Sequence, residues 1–219
     1  MTLDAEETAF RRAERERCLA LRAAAPASVR SAVQANVDAV VDLLLRGAKR
    51  PSLAFYWPIR GEIALFGAMR RAVDAGATVA LPVVVDRHGP LAFRRWTPAT
   101  RMEPGVWKIP VPPDSAEPVD PDVLFVPVVG YDAANFRLGN GGGYYDRTLA
   151  ARSPRPRTVG IGMTCLRLAT FRPAAHDLPM DLMVTEAPVA PRDRATLSAW
   201  VGERIDCASP PCAMPELDT

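Results

Sequence analysis

Residues 122–130 read Asp-Val-Leu-Phe-Val-Pro-Val-Val-Gly, with no polar side chain between Val123 and Val129. A strand with one wet face alternates apolar and polar residues, so an unbroken run marks a strand covered on both faces. Such a strand needs neighbours, and the rest of the chain supplies them. Short apolar runs at 52–57, 78–85, 158–163 and 181–186 read as further strands. Between them lie segments of helical period. Residues 3–24 are rich in Glu, Arg and Ala. A second helix is expected from an N-cap at Ser28 to about Arg46, with Val33, Val37, Val40, Val41 and Leu44 on one face and Gly47 as its stop. A third is expected over 62–75, burying Ile63, Phe66, Met69 and Val73 and closed by Gly76. Residues 144–151 and 191–204 complete the helices.

The turn Asp86-Arg87-His88-Gly89 joins 78–85 to 91–96 and predicts an antiparallel pair. Residues 97–121 are rich in proline and predict no element of their own; 131–143 reads as loop. Helices alternating with apolar strands predict an α/β fold, a three-layer sandwich around a mostly parallel sheet, Rossmann-like in plan. One domain is expected over residues 1–204, with 205–219 as a flexible tail.

Charge excludes some partners. The chain of 219 residues carries 27 basic and 25 acidic residues, a net charge of +2. That balance offers no footprint for nucleic acid or for an anionic membrane. No apolar run approaches the roughly 20 residues that cross a bilayer. The opening residues, Met-Thr-Leu-Asp-Ala-Glu-Glu, lack the basic-then-apolar order of a signal peptide, so a cytoplasmic monomer is expected. The four cysteines, Cys18, Cys165, Cys207 and Cys212, lack zinc-ribbon spacing and read as reduced thiols.

The chemistry is concentrated after the central run. The strand leads into a loop holding Gly139, Gly141, Gly142 and Gly143, and then into a helix. Glycines let a ligand approach the main chain, and unpaired N–H groups at a helix start attract phosphate. Arg137 stands ready to add a charge-assisted contact. The loop is neither a Walker A loop nor a GxGxxG fingerprint. From the residues alone, a phosphate cradle and a purely structural glycine turn both remain open.

The segment Arg137-Leu-Gly-Asn-Gly-Gly-Gly-Tyr-Tyr-Asp-Arg147 resembles the signature of the 5-formyltetrahydrofolate cyclo-ligase family. Three other segments are similar to that family in the same order: Phe55–Glu62, Gly105–Pro112 and His176–Glu186. The resemblance spans about residues 10–190. It implies ATP and Mg²⁺ as cofactors and a reduced folate as substrate. It assigns nucleotide contacts to Arg137, Leu138, Gly139, Asn140, Gly141, Gly142, Gly143, Tyr144 and Tyr145, and metal ligands to Asp146 and Asp177. Arg11 and Arg15 match a basic pair that clamps phosphates; a solvated face of Glu–Arg pairs is the other reading. Ile59, Glu62, Trp107 and Tyr144 match the folate pocket. Arg137, Tyr144 and Asp146 are the residues expected to act in catalysis.

Three positions depart from the family's pattern. Arg11 stands where a Lys is usual, Ala64 where a second acidic residue is common, and Asn140 where an Arg is common. The implied reaction is ATP-dependent closure of 5-formyltetrahydrofolate to 5,10-methenyltetrahydrofolate, releasing ADP and phosphate. A diverged relative acting on another small molecule, or a nucleotide-binding module without turnover, remain as alternatives.

Overall fold

The apolar runs pair with one another along their length. The strands are β1 (Leu53–Ala54), β2 (Val79–Val83), β3 (Ala92–Arg95), β4 (Glu103–Pro104), β5 (Pro110–Val111), β6 (Val123–Pro127), β7 (Gly130–Tyr131), β8 (Arg137–Leu138), β9 (Arg157–Ile161) and β10 (Leu182–Val184). The helices are α1 (Ala5–Ala24), α2 (Ala27–Leu44), α3 (Phe66–Asp74), α4 (Tyr144–Ala150) and α5 (Pro191–Val201). This computed structural model describes residues 5–46, 50–169, 171–174 and 176–201, with the backbone alone at Pro191, Arg192 and Val201. Gly47 and the expected tail at 205–219 lie outside the described residues.

Six strands form the main sheet in the order β10-β9-β6-β1-β2-β3. Every pairing is parallel except β2 with β3, the antiparallel pair expected from the turn at 86–89. Val123 to Val126 of β6 are buried throughout, as a strand covered on both faces must be. Helices flank the sheet, and α2 packs against α3, α5 and β10. The mostly parallel α/β sandwich is therefore as expected. Phe55, just after β1, stacks on Phe125 of β6 with ring centroids 4.4 Å apart and planes 2° from parallel.

The topology carries a functional hint. From β1 the chain moves to β2 on one side; from β6 it moves to β9 and β10 on the other. The adjacent strands β1 and β6 thus send their connections in opposite directions. A crevice opens at such a switch point, beyond the carboxyl ends of the strands, and ligands bind there in open α/β sheets.

Several local expectations are corrected. Ser28 is not the N-cap of α2; Pro26 holds that place, and its carbonyl takes the first helical bond from Arg30 N–H at 3.2 Å. Proline has no N–H to lose and its fixed φ suits the entry. The third helix starts at Phe66, not at 62, and Phe66 is exposed, meeting Trp57 edge-on. Residues 62–65 stay out of the helix, after a turn that aims Glu62 inward. The 97–121 stretch is not without elements, since β4 and β5 pair as a small hairpin. Within 131–143, β8 turns back on β7, because Asp132 Oδ1 accepts the Ala134 and Phe136 N–H groups, both at 2.9 Å. An aspartate satisfying two amides makes a tight turn of a segment that reads as polar loop.

Candidate active site

The first wall of the crevice is the turn after β1. Arg60 and Gly61 have φ of 47° and 74°, and Glu62 N–H closes on Ile59 O at 2.9 Å. Two consecutive left-handed residues fold the chain sharply, and glycine takes the second place without a Cβ penalty. The turn carries Glu62 into the interior, where its Oε2 accepts Ile59 N–H at 3.0 Å. Burial pushes the Glu62 carboxyl up from its ordinary value; the Ile59 N–H and the Arg22 charge pull the other way. Ile59 is half-buried beside it.

The second wall is the glycine loop after β8. Gly139 to Gly143 are exposed or half-buried, and a Cβ at Gly139 would meet nothing within 4 Å. Gly141 and Gly143 have φ of 93° and 64°. At Gly142 a Cβ would fall 2.8 Å from the Tyr144 ring. The loop is thus an open, nearly bare stretch of main chain. Leu138 is buried, so that position offers its backbone alone. Asn140 reaches across the crevice, with Nδ2 3.5 Å from Glu62 Oε1, and joins the two walls.

At the start of α4 the paired tyrosines diverge. Tyr145 turns inward, and burial drives its hydroxyl pKa up, with the Glu62 charge adding to the effect. Tyr144 lies between the Arg147 guanidinium, 4.8 Å from its ring centroid, and Trp107, 5.9 Å away and edge-on. Trp107 is 63% exposed, which excludes the core role open to an apolar tryptophan. It sits at the tip of the β4–β5 hairpin with φ 54°.

The third wall comes from α1. Arg15 Nε donates to Gly139 O at 2.8 Å and its guanidinium lies under Gly141. Burial and the neighbouring Arg11 both lower its pKa. Arg11 donates to Glu7 at 2.7 Å, to Asp177 at 2.6 Å and to Arg172 O at 2.8 Å. Burial opposes charge at Asp177, but the Arg11 guanidinium and Ala174 N–H hold its carboxyl below the ordinary range. The pair is more than a solvated Glu–Arg face: Arg11 is buried and Arg15 half-buried.

Arg137 ties Asp146 to Leu178, the residue that follows Asp177. Arg137 Nη2 pairs with Asp146 Oδ1 at 2.8 Å while its Nη1 donates to Leu178 O at 2.9 Å. Leu178 N–H points at Asp146 Oδ1, 3.4 Å away. Among the described residues no three His, Cys, Asp or Glu side chains gather as a closed metal cage. The donor set fits Mg²⁺ held largely by phosphate oxygens and water, with one or two carboxylates, the usual arrangement for that ion. Asp146, 20% exposed at its side chain, fits that role with the carboxylate oxygen that Arg137 does not hold. Asp177 is engaged by Arg11 and would have to exchange that partner.

Two residues beside this crevice carry no expectation from the sequence. Tyr56 donates its hydroxyl to Ile63 O at 2.8 Å, bracing the Glu62 turn. Arg22, in the last turn of α1, has Nη1 3.9 Å from Glu62 Oε1. Its signal was spacing: 11, 15, 18 and 22 fall on one helix face.

Known proteins resemble this chain in sequence and in fold. The profile of the 5-formyltetrahydrofolate cyclo-ligase family matches residues 7–186. The 5-formyltetrahydrofolate cyclo-ligase of Haemophilus influenzae is 30% identical over 149 residues, covering 64% of this chain and 79% of that protein. The Escherichia coli protein of the same name is 30% identical over 144 residues, 63% of this chain and 79% of its own. The solved Aquifex aeolicus 5,10-methenyltetrahydrofolate synthetase superposes with a TM-score of 0.66 at 27% identity, covering 82% of this chain and 91% of that one. The Mycoplasma pneumoniae synthetase shares the fold, with a TM-score of 0.63 at 20% identity over 81% of this chain and 99% of that one. With the family's profile running through all three walls of the crevice, the chain belongs to the 5-formyltetrahydrofolate cyclo-ligase family, a family of ligases.

Proposed function

We propose that this protein closes 5-formyltetrahydrofolate to 5,10-methenyltetrahydrofolate in the cytoplasm, as a monomer whose residues 1–204 form one catalytic domain, with Mg-ATP consumed and ADP and phosphate released. The observation that carries this reading is the contact of Asn140 with Glu62 across the β1–β6 switch point. It sets a bare glycine loop, suited to phosphate, directly against a buried carboxylate suited to ring N–H donors.

ATP supplies the phosphoryl group that turns the formyl oxygen into a leaving group. The chain's own work is positioning and charge. The amides of Gly139–Gly143, with Arg15 beneath them and Arg137 beside them, receive the phosphates. Asp146 and Asp177 are the carboxylates that would hold Mg²⁺, which would supply positive charge against the phosphates. Glu62 accepts hydrogen bonds from the folate ring, Ile59 covers the ring, and Tyr144 with Trp107 closes the open side. Preorganised charge of this kind is usually the largest single contribution to phosphoryl transfer. No side-chain nucleophile is needed.

Pure protein incubated with Mg-ATP and 5-formyltetrahydrofolate should develop the near-ultraviolet absorption of the methenyl product, and Asp146→Ala should not. Absence of that absorption from folded protein at high concentration sinks the reading. Tight ATP binding without turnover would then favour a diverged relative or a binding module.

A further inference from the structure

Arg22 is the most deeply buried cation beside the crevice, at 2% exposure. Its Nη1 lies 3.5 Å from Val128 O and 3.9 Å from Glu62 Oε1. Its Nε and Nη2 have no hydrogen-bond partner. Buried polar groups are nearly always paired, because an unpaired one forfeits its hydration. Packing alone gives no reason to keep a dry guanidinium here, since an apolar side chain would fill the space at less cost. The group it faces does give a reason.

Glu62 is surrounded from every packed element. From its own turn come the Ile59 N–H and the exposed Arg60; from the end of β1, Tyr56; from the glycine loop, Asn140; from α4, Tyr145; from α1, Arg22. Tyr56 and Tyr145 are held neutral by burial, and Arg60 stands in solvent. Arg22 is therefore the one cation among these groups that shares the carboxylate's dry surroundings. It is also the third arginine on one face of α1, after Arg11 on Asp177 and Arg15 on the glycine loop.

We propose that Arg22 is a positioning residue for Glu62, keeping the carboxylate charged and turned to the crevice so that it accepts two adjacent N–H donors from the substrate ring. The inference rests on the folate reading above, because the amino-pyrimidinone edge of a reduced folate presents an NH₂ beside a ring N–H. A charged carboxylate accepts both; a neutral one is itself a donor and mismatches. Arg22 would thus act on folate capture and leave nucleotide capture alone.

The test compares wild type, Arg22→Met and Arg22→Lys across pH. Arg22→Met should raise the folate KM by about ten-fold or more, the loss expected when a charge-assisted hydrogen bond fails. The ATP KM should stay within about two-fold, a change of under 0.5 kcal/mol. The acid limb of kcat/KM for folate should move to higher pH, and Arg22→Lys should recover most of both effects. Equal losses for both substrates, or an unmoved acid limb, would overturn the proposal. A second measurement needs neither turnover nor a folded Met variant. Carbon-13 NMR of the Glu62 carboxyl, assigned with Glu62→Gln, should show it ionised at neutral pH in the wild type. A neutral Glu62 there overturns the inference, whereas failure of the wild type to convert folate overturns the functional reading instead.

Discussion

Arg11 is the residue whose side-chain chemistry has the clearest structural consequence. A guanidinium presents a planar fork, and here it serves Glu7, Asp177 and the Arg172 carbonyl at once. A compact ammonium could not span the three. The side chains of Arg11 and Asp177 are 10% and 8% exposed, so breaking the pair is destabilising, by less than the roughly 3–5 kcal/mol of a fully orphaned buried charge because Glu7 and the Arg172 carbonyl still hold Arg11. The sign of the pH dependence follows from the depressed Asp177 carboxyl. Its contribution is complete above the unfolded pKa of about 3.9 and is lost as pH falls through the lower folded value. The melting temperature of wild type should therefore exceed that of Asp177→Asn by a constant margin from neutral pH down to about pH 5. The margin should then shrink with further acid. Circular dichroism melts at each pH measure it, and a margin that persists undiminished into strong acid would remove the ion pair as its source.

At the scale of elements, β1 and β6 are held together by more than their ladder. The Phe55–Phe125 stack bridges the two strands whose connections part to open the crevice. Phe125 is 1% exposed, so Phe125→Ala should cost about 3–5 kcal/mol in urea unfolding. A loss below about 1 kcal/mol would mean that the strands close up around the gap. The apolar runs of β2, β6, β9 and β10 were legible because continuous hydrophobicity is a property of the strand itself. The small hairpins were not. The pairing of β7 with β8 depends on one Asp132 carboxylate taking two amides, and that of β4 with β5 on left-handed Trp107 and Lys108, which no propensity favours. The start of α3 has a related cause, since helical spacing continues through Ile63 while the helix itself begins only at Phe66, beyond the turn at Arg60 and Gly61. Within the site, the glycine loop was readable from its composition. The ion-pair partners of Arg11 and Arg137 arise from contacts between distant segments and had no local signature; for Arg22 the spacing gave the helix face but not Glu62 as its neighbour.

At the scale of the whole molecule, the crevice draws on parts far apart in the chain: α1, the turn after β1, the loop after β8, and Arg172 with Asp177 and Leu178. Such a site couples ligand binding to the stability of everything that frames it. Mg-ATP at 100 times its dissociation constant should stabilise the fold by about 2.7 kcal/mol, seen as a rise in melting temperature. Arg15→Ala, which frees the glycine loop from α1, should need more nucleotide for the same rise. An unchanged requirement would show that Arg15 does not support the phosphate site. The near-balance of charge, +2 overall, fits this picture of a local electrostatic device, with Arg11, Arg15 and Arg22 placed along one face of α1.

The exposed indole of Trp107, standing edge-on to Tyr144 over the crevice, gives the protein a built-in optical gauge. Of the four tryptophans, Trp57, Trp96 and Trp200 are buried or half-buried, so red-edge emission reports mainly on the tip of this one hairpin. A ring sliding beneath it would strip away its water and shift its colour toward the blue. Filling of the site can then be followed in real time, without a label and before any bond is made.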